Sequence, residues 1–365
     1  MRMTNLRNIG LSDMHVREAE KLADNLHLAR VSAQHKDAYK VMAETGEISA
    51  EVSGRLKHPA SGSLAYPAVG DWVLVDRTDD KNGNAIIHHV LARKSCFVRK
   101  AAGTKQDCQI IAANVDTLFI CMSLNNDYNL RRIERYLSVA WDSGATPVIV
   151  LTKSDLCDDM DTKLREVQFI ALGVDVVVTS SMCDDGYASI LTYLGKGKTI
   201  AFVGSSGVGK STLINRLMGE EVLATKETRV DDDRGRHTTT HRQLLVLPGG
   251  GIVLDTPGLR ELQIASADLS KSFADIDRLA KTCHFRDCRH ESEPKCAVRD
   301  AIDKGTLSVR RFENFKKIQQ EMRFAESKGV LTAAQVERQK MVQMLGSLGA
   351  YKKMQKEIKK RQNSG

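Results

Sequence analysis

The chain has 365 residues, of which 42% are hydrophobic and 27% charged, a balance that excludes a disordered chain and implies two or three folded domains. Lys and Arg outnumber Asp and Glu by 54 to 46, and the formal charge of +8 favours a polyanionic partner, because cationic side chains displace the counterions condensed on phosphate backbones. No apolar run reaches the roughly 18 residues of a membrane span, and the polar, charged opening from Met1 to Asn25 reads as no secretory signal, so a cytoplasmic protein without membrane attachment is expected.

Residues 1–27 are rich in charge and lack strong periodicity, so they read as a loosely specified N-terminal extension. From 28 to 105, short β-prone runs alternate with turn residues, as in Asp71-Trp72-Val73-Leu74-Val75 followed by Lys81-Asn82-Gly83-Asn84, and a small β-barrel or meander is expected. From 106 to 268, apolar strands at 114–121, 147–151, 174–178, 199–203 and 252–254 are separated by helix-length segments, including a helical stretch at 130–141. That alternation predicts an α/β unit with a parallel sheet covered by helices on both faces. From 269 to 365 the pattern is helical, interrupted by a Cys/His cluster and closed by a basic run at 351–361. This run is either a solvated helix face or an arm contacting phosphates.

The strand at 199–203 runs directly into Gly204-Ser205-Ser206-Gly207-Val208-Gly209-Lys210-Ser211-Thr212, followed by an amphipathic helix through Leu213, Ile214 and Leu217. This is the P-loop spacing in its strand-loop-helix context: glycines let backbone N–H groups converge on phosphates at a helix N-terminus. Lys210 would contact the β- and γ-phosphates and take the catalytic cation's role, and Ser211 would ligate Mg²⁺.

Thr152-Lys153-Ser154-Asp155 sits at the end of another apolar strand. A carboxylate at Asp155 can accept from guanine N1–H and N2–H₂ together, a donor pair that adenine lacks, so GTP is selected over ATP. Thr179-Ser180-Ser181, at a third strand end, suits a loop that backs the base. Asp255-Thr256-Pro257-Gly258 follows the strand at 252–254, where Asp255 would reach Mg²⁺ and the Gly258 N–H would sense the γ-phosphate. Between them, Arg234-Gly235-Arg236-His237-Thr238-Thr239 lies where a switch must give a threonine to Mg²⁺; Thr239 is the first choice and Thr238 the second. The base-reading motif precedes the P-loop, so the guanine-nucleotide motifs occur in circularly permuted order. Such rewiring is undemanding when the old termini lie close together.

Leu259 follows Gly258 where many GTPases carry a water-orienting glutamine. Leucine cannot hold water, so slow turnover accelerated by a partner is expected. His237 is the local candidate to position water, the alternative being an ordinary loop histidine. Cys283, Cys288, His290 and Cys296 offer three thiolates and an imidazole within one short loop, enough for a closed, structural Zn²⁺ site, with His284 as the competing imidazole.

This motif order, from Thr152 through Lys210, Thr239 and Asp255 to the Cys283 cluster, resembles the ribosome small subunit-dependent GTPase A family over the chain from about Arg30 onward. The resemblance implies a circularly permuted P-loop GTPase domain flanked by an N-terminal OB-fold β-barrel, with Gly70-Asp71-Trp72-Val73 as its signature strand, and a C-terminal zinc-binding helical domain. It further implies binding to the small ribosomal subunit (30S) and its rRNA, stimulation of GTP hydrolysis by that subunit, and action late in its maturation, by a protein expected to be monomeric. Trp72 and Tyr66 are either stacking platforms for bases or barrel core. Two rivals remain: an RNA-binding clamp that keeps GTP as a structural ligand, and an ATP-dependent nucleic-acid enzyme, against which Asp155 argues.

Overall fold

The structure, a computed structural model, describes residues 4–23, 25–35, 38–57, 65–81, 83–100, 108–183, 186–223, 242–255 and 269–328. Five strands form the first unit: β1 (His27–His35), β2 (Ala38–Ala43), β3 (Gly46–Val52), β4 (Trp72–Val75) and β5 (Ala85–Val90). They pair in the closed ring β1-β2-β3-β5-β4-β1, antiparallel except between β3 and β5. This five-stranded closed ring has the OB architecture, in which closure leaves no long free edge. Alternation along β2 turns Tyr39, Val41 and Ala43 inward. A register shift between Val31 and Ala33 bends β1, so that its first half closes the barrel on β4 while its far end extends beyond it. Trp72 is fully buried in this core. It therefore fills the barrel and offers no face to a base, whereas Tyr66 is half-buried.

Residues before the barrel are better specified than their charge suggests. A 3₁₀ turn at Leu6–Ile9 and the helix α1 (Asp13–Leu22) bury Leu6, Ile9, Ala19 and the His15 ring, which lies 5.7 Å from Trp72. The Asn5 side chain accepts from Arg7 N, and the Gly197 N–H donates to Asn8 O. The apolar residues are spread over two short elements, too few per element to give a periodic signal.

A two-stranded hairpin, β6 (Cys96–Lys100) and β7 (Cys108–Ala113), leads from the barrel to the α/β unit. There β8 (Thr117–Ser123), β9 (Thr146–Thr152), β10 (Asp175–Val178), β11 (Thr199–Val203), β12 (Arg242–Val246) and β13 (Ile252–Asp255) form the order β10-β9-β8-β11-β13-β12. All neighbours are parallel except β12 with β13. The strands expected at 147–151, 174–178, 199–203 and 252–254 are β9, β10, β11 and β13; the antiparallel β12 was not expected. Numbering the long helices here as α2 (Leu130–Ser143), α3 (Met160–Ile170) and α4 (Lys210–Met218), each joins two strands of this sheet. Asn129 caps α2 by accepting from Arg132 N, and Gly144 at φ 85° ends it.

The barrel and sheet are one hydrogen-bonded surface, because the far end of β1 pairs with β12 at Ala33–Gln243 and Gln34–Arg242. Arg30 stitches the same junction from within. Fully buried, it donates to Gly70 O (3.1 Å), Ile9 O (2.5 Å), Thr199 Oγ1 (3.0 Å) and Asn114 O (3.2 Å). Beyond the sheet, α5 (Ala274–Ala280), α6 (Ala297–Asp303) and α7 (Val309–Lys328) carry the Cys/His loop between the first two. Arg311 of α7 bonds Glu134 of α2 at 2.5 Å and Asp275 at 2.7 Å, and Asn314 also donates to Glu134. Both partners at this contact are buried, so the helical unit is held to α2 by charge-assisted bonds with little competition from water. Among the described residues, no helix is long and apolar enough to cross a membrane.

Candidate nucleotide-binding and metal sites

Parallel strands end on one edge of a sheet, and the connections after them gather there. After β11, Gly204 has φ 151°, and a Cβ on it would lie 2.5 Å from Cys121 O, so only glycine lets this strand pass so close to β8. Gly209 at φ 102° then begins α4, placing Ser211 and Thr212 in its first turn. Lys210 is largely buried, and its ammonium donates to Gly204 O (2.8 Å) and Ser205 O (2.5 Å), so it lies across the loop.

The Ser205 hydroxyl donates to Asp127 Oδ2, and Asp127 pairs with Arg132 at 2.8 Å. The Arg132 hydrogen bond, followed by that of Ser205, holds the Asp127 carboxyl below the usual range. Sequence reading missed Asp127: it lies in the connection from β8 to α2, and only its tertiary neighbours reveal its place beside the loop.

At the end of β9 the Thr152 hydroxyl donates to Val208 O at 2.6 Å and is buried. Two motifs 56 residues apart in the chain thus touch directly. Lys153 takes the left-handed conformation at φ 58°, turning the chain into a short 3₁₀ turn, Ser154–Leu156. Ser154 N donates to Thr179 O (3.2 Å), and the Ser180 hydroxyl donates to Asp155 Oδ1 (2.5 Å). The Thr152 motif, the Thr179-Ser180-Ser181 loop and the P-loop are therefore brought together. Asp255 closes β13, which runs parallel beside β11 with Leu254 opposite Ala201, so it lies on the same edge. His237, Thr238, Thr239, Gly258 and Leu259 lie outside the described residues, as does the basic run at 351–361.

In the helical unit, the ligand atoms of Cys283, Cys288, His290 and Cys296 lie within 4.8 Å of one another. His290 Nδ1 is 3.6, 3.4 and 3.3 Å from the sulfurs of Cys283, Cys288 and Cys296, and Cys283 Sγ is 3.9 Å from Cys296 Sγ. Bond lengths of about 2.3 Å to sulfur and about 2.0 Å to nitrogen give tetrahedral edges of roughly 3.5–3.8 Å, so the four atoms fit one Zn²⁺ ion. His290 takes the left-handed backbone conformation at φ 60°. The rival His284 instead packs edge-on to Phe285 and is not in the cluster.

Comparison with known proteins agrees with this geometry. The RsgA GTPase family description matches residues 90–265. The small ribosomal subunit biogenesis GTPase RsgA 2 of Lactiplantibacillus plantarum is 50% identical over 327 residues, 90% of this chain and 91% of its own. The chain belongs to the RsgA GTPase family. Its fold matches the crystal structure of the Thermotoga maritima YjeQ protein with a TM-score of 0.60 at 29% identity, covering 81% of this chain and 98% of that one. It also shares the fold of YloQ, described as a circularly permuted GTPase, with a TM-score of 0.59 at 24% identity over 86% of this chain and 98% of that one. As an RsgA family member this is a GTPase, for which Mg²⁺ accompanies GTP, and its motif order is that of the permuted fold.

Thr152→Val keeps the side-chain volume but leaves the Val208 carbonyl without its donor. A lost buried hydrogen bond of about 1–2 kcal/mol should weaken GTP binding roughly 5- to 30-fold in a fluorescent-nucleotide titration. Unchanged affinity would mean that this link does not shape the pocket.

Proposed function

We propose that this protein binds the small ribosomal subunit and hydrolyses GTP in a subunit-stimulated manner late in 30S maturation. The observation that carries the reading is the Thr152–Val208 hydrogen bond, which joins the motif bearing Asp155 to the phosphate loop bearing Lys210. A molecule held there meets a purine-selecting carboxylate at one end and an anion cradle at the other, which is the requirement for a guanine nucleotide. The names of relatives at 42–50% identity supply the ribosomal partner.

In this reading Asp155 accepts from guanine N1–H and N2–H₂, Lys153 braces the base, and Thr179, Ser180 and Ser181 back it. The N–H groups of residues 204–212 face the phosphates. Lys210 leaves the loop carbonyls and neutralises the charge that builds between the β- and γ-phosphates as the terminal bond breaks. Ser211, Thr239 and Asp255 would hold Mg²⁺, which supplies further charge neutralisation on the phosphate oxygens. The Gly258 N–H senses the γ-phosphate, and its loss on hydrolysis releases the flanking segments. Leu259 gives water no hydrogen bond, so attack on the γ-phosphorus needs a donor or acceptor from elsewhere. His237 is the candidate within the chain to position that water.

The partner surface is ribosomal RNA, met by the barrel and a chain of net charge +8, and the protein acts as a cytoplasmic monomer. Because Trp72 is buried, the barrel contacts RNA through basic and backbone groups in preference to that ring. The Cys283, Cys288, His290 and Cys296 set holds a structural zinc with no open coordination position.

Purified 30S subunits should raise GTP turnover by at least tenfold at low salt, with 50S subunits giving no comparable effect. Turnover unaffected by 30S would overturn the ribosomal assignment. Elemental analysis should find one zinc per chain, and Cys288→Ser should lower both the zinc content and the melting temperature. Metal-free protein of unaltered stability would remove the zinc from the account.

A further inference from the structure

We infer that Arg216 is a positioning residue for guanine recognition, holding the backbone of residues 181–183 so that the Ser181 N–H is presented to the C6 edge of the base. The inference rests on the reading of Asp155 as the guanine-selecting group and extends it to the other side of the pocket.

Arg216 lies in the last turn of α4, the helix whose first turn carries Lys210 and Ser211. Its guanidinium donates to Ser181 O at 2.5 Å and to Cys183 O at 3.2 Å, and lies 5.7 Å above the Tyr187 ring. A planar fork can span two carbonyls two residues apart and stack on a ring at once; an ammonium on a flexible stem cannot. The described residues of the loop it grips are held to one another. Ser180 N donates to Gly186 O (3.2 Å) and Gly186 N to Cys183 O (3.1 Å), and a Cβ at position 186 would lie 2.0 Å from Ser180 O.

The backbone N–H groups of this loop are unequally occupied. Thr179 N donates to Leu151 O, Ser180 N to Gly186 O, and Met182 N to the Ser180 hydroxyl oxygen. The Ser181 N–H has no acceptor among the described residues. It is one residue from Ser180, whose hydroxyl is bound to Asp155 Oδ1. The open donor and the base-reading carboxylate therefore share one rim. Guanine presents an acceptor at O6 beside donors at N1 and N2, whereas adenine presents an amino group at C6. A backbone donor next to a carboxylate complements the first edge and opposes the second.

By fixing the Ser181 carbonyl, Arg216 fixes the plane of the following peptide and the course of the loop, and so the aim of the preceding N–H. Without it the loop samples other conformers, and apparent affinity falls in proportion to the competent fraction. The test is competition of GTP, ITP and ATP against a fluorescent guanine nucleotide on the full-length protein, with Arg216→Ala and Arg216→Lys. A competent fraction of about one tenth would make GTP and ITP, which both carry O6, bind roughly tenfold more weakly to Arg216→Ala. ATP should change less than about twofold, because it makes no use of the Ser181 donor. Arg216→Lys keeps a positive charge at the helix C-terminus but reaches only one carbonyl, so it should restore affinity only in part.

Equal loss for all three nucleotides, no loss for GTP, or full rescue by lysine would overturn the inference. Failure of the underlying reading would look different: the unmutated protein would itself hold ATP as tightly as GTP.

Discussion

Two hydroxyl groups hold the proposed nucleotide pocket together across a rearranged chain. Thr152 binds the carbonyl of Val208, and Ser180 binds the carboxylate of Asp155, so three loops from three strand ends become one rim. These contacts depend on where parallel strands end and not on the order in which the chain visits them. β9 and β10 precede β11 in sequence, yet β8 lies between β9 and β11 in the sheet and fixes the spacing of the loops. Circular permutation therefore leaves the chemistry of the site intact and changes only what is attached to its ends.

What is attached is held firmly. β12 lies between β13 and β1, so Gln243 pairs with Asp255 on one side and with Ala33 of the barrel on the other. A backbone ladder two strands wide thus connects the carboxylate on the nucleotide edge to the barrel wall. Arg30 ties the barrel to Thr199, the first residue of the strand that leads into the phosphate loop. Burial lowers its pKa to about 10, which still leaves the guanidinium charged at neutral pH, so its hydrogen bonds keep their charge-assisted character. On the opposite side, Glu134 presents one carboxylate to Arg311 and Asn314 of the helical unit. Burial pushes the Glu134 carboxyl up, opposed by the Arg311 charge, and removing Arg311 alone would leave an unpaired buried acid. The α/β unit is therefore flanked by two neighbours fixed through buried polar contacts.

Features set by local chemistry were legible in the sequence. The P-loop needs glycines at fixed spacing before a lysine, the base-reading motif needs a carboxylate just past a strand, and a metal site needs sulfur and imidazole close together. The strands of the parallel sheet were legible because burial on both faces makes them short continuous apolar runs. Features that depend on distant partners were not. The strand character of β12 comes from pairing with β13 and with β1, more than 200 residues earlier in the chain. Asp127 accepts from the Ser205 hydroxyl and Arg216 donates to carbonyls of another loop, and no spacing rule marks a side chain whose partner lies on a distant loop. Trp72 was readable either as core or as a platform, and barrel closure by β1 and β4 decided for core. The N-terminal turn and α1 escaped notice because each buries only a few apolar residues.

The central claim is that one ligand spans the carboxylate of Asp155 and the cradle around Lys210, and exchanging the hydrogen-bonding sense of that carboxylate tests it most directly. Xanthine carries an oxygen where guanine carries its 2-amino group, so an amide at position 155 can donate where the acid could only accept. Asp155→Asn should therefore lose affinity for GTP and gain it for XTP, reversing the order of the two in a competition titration. A variant that binds both as the unmutated protein does, or loses both alike, would contradict the account.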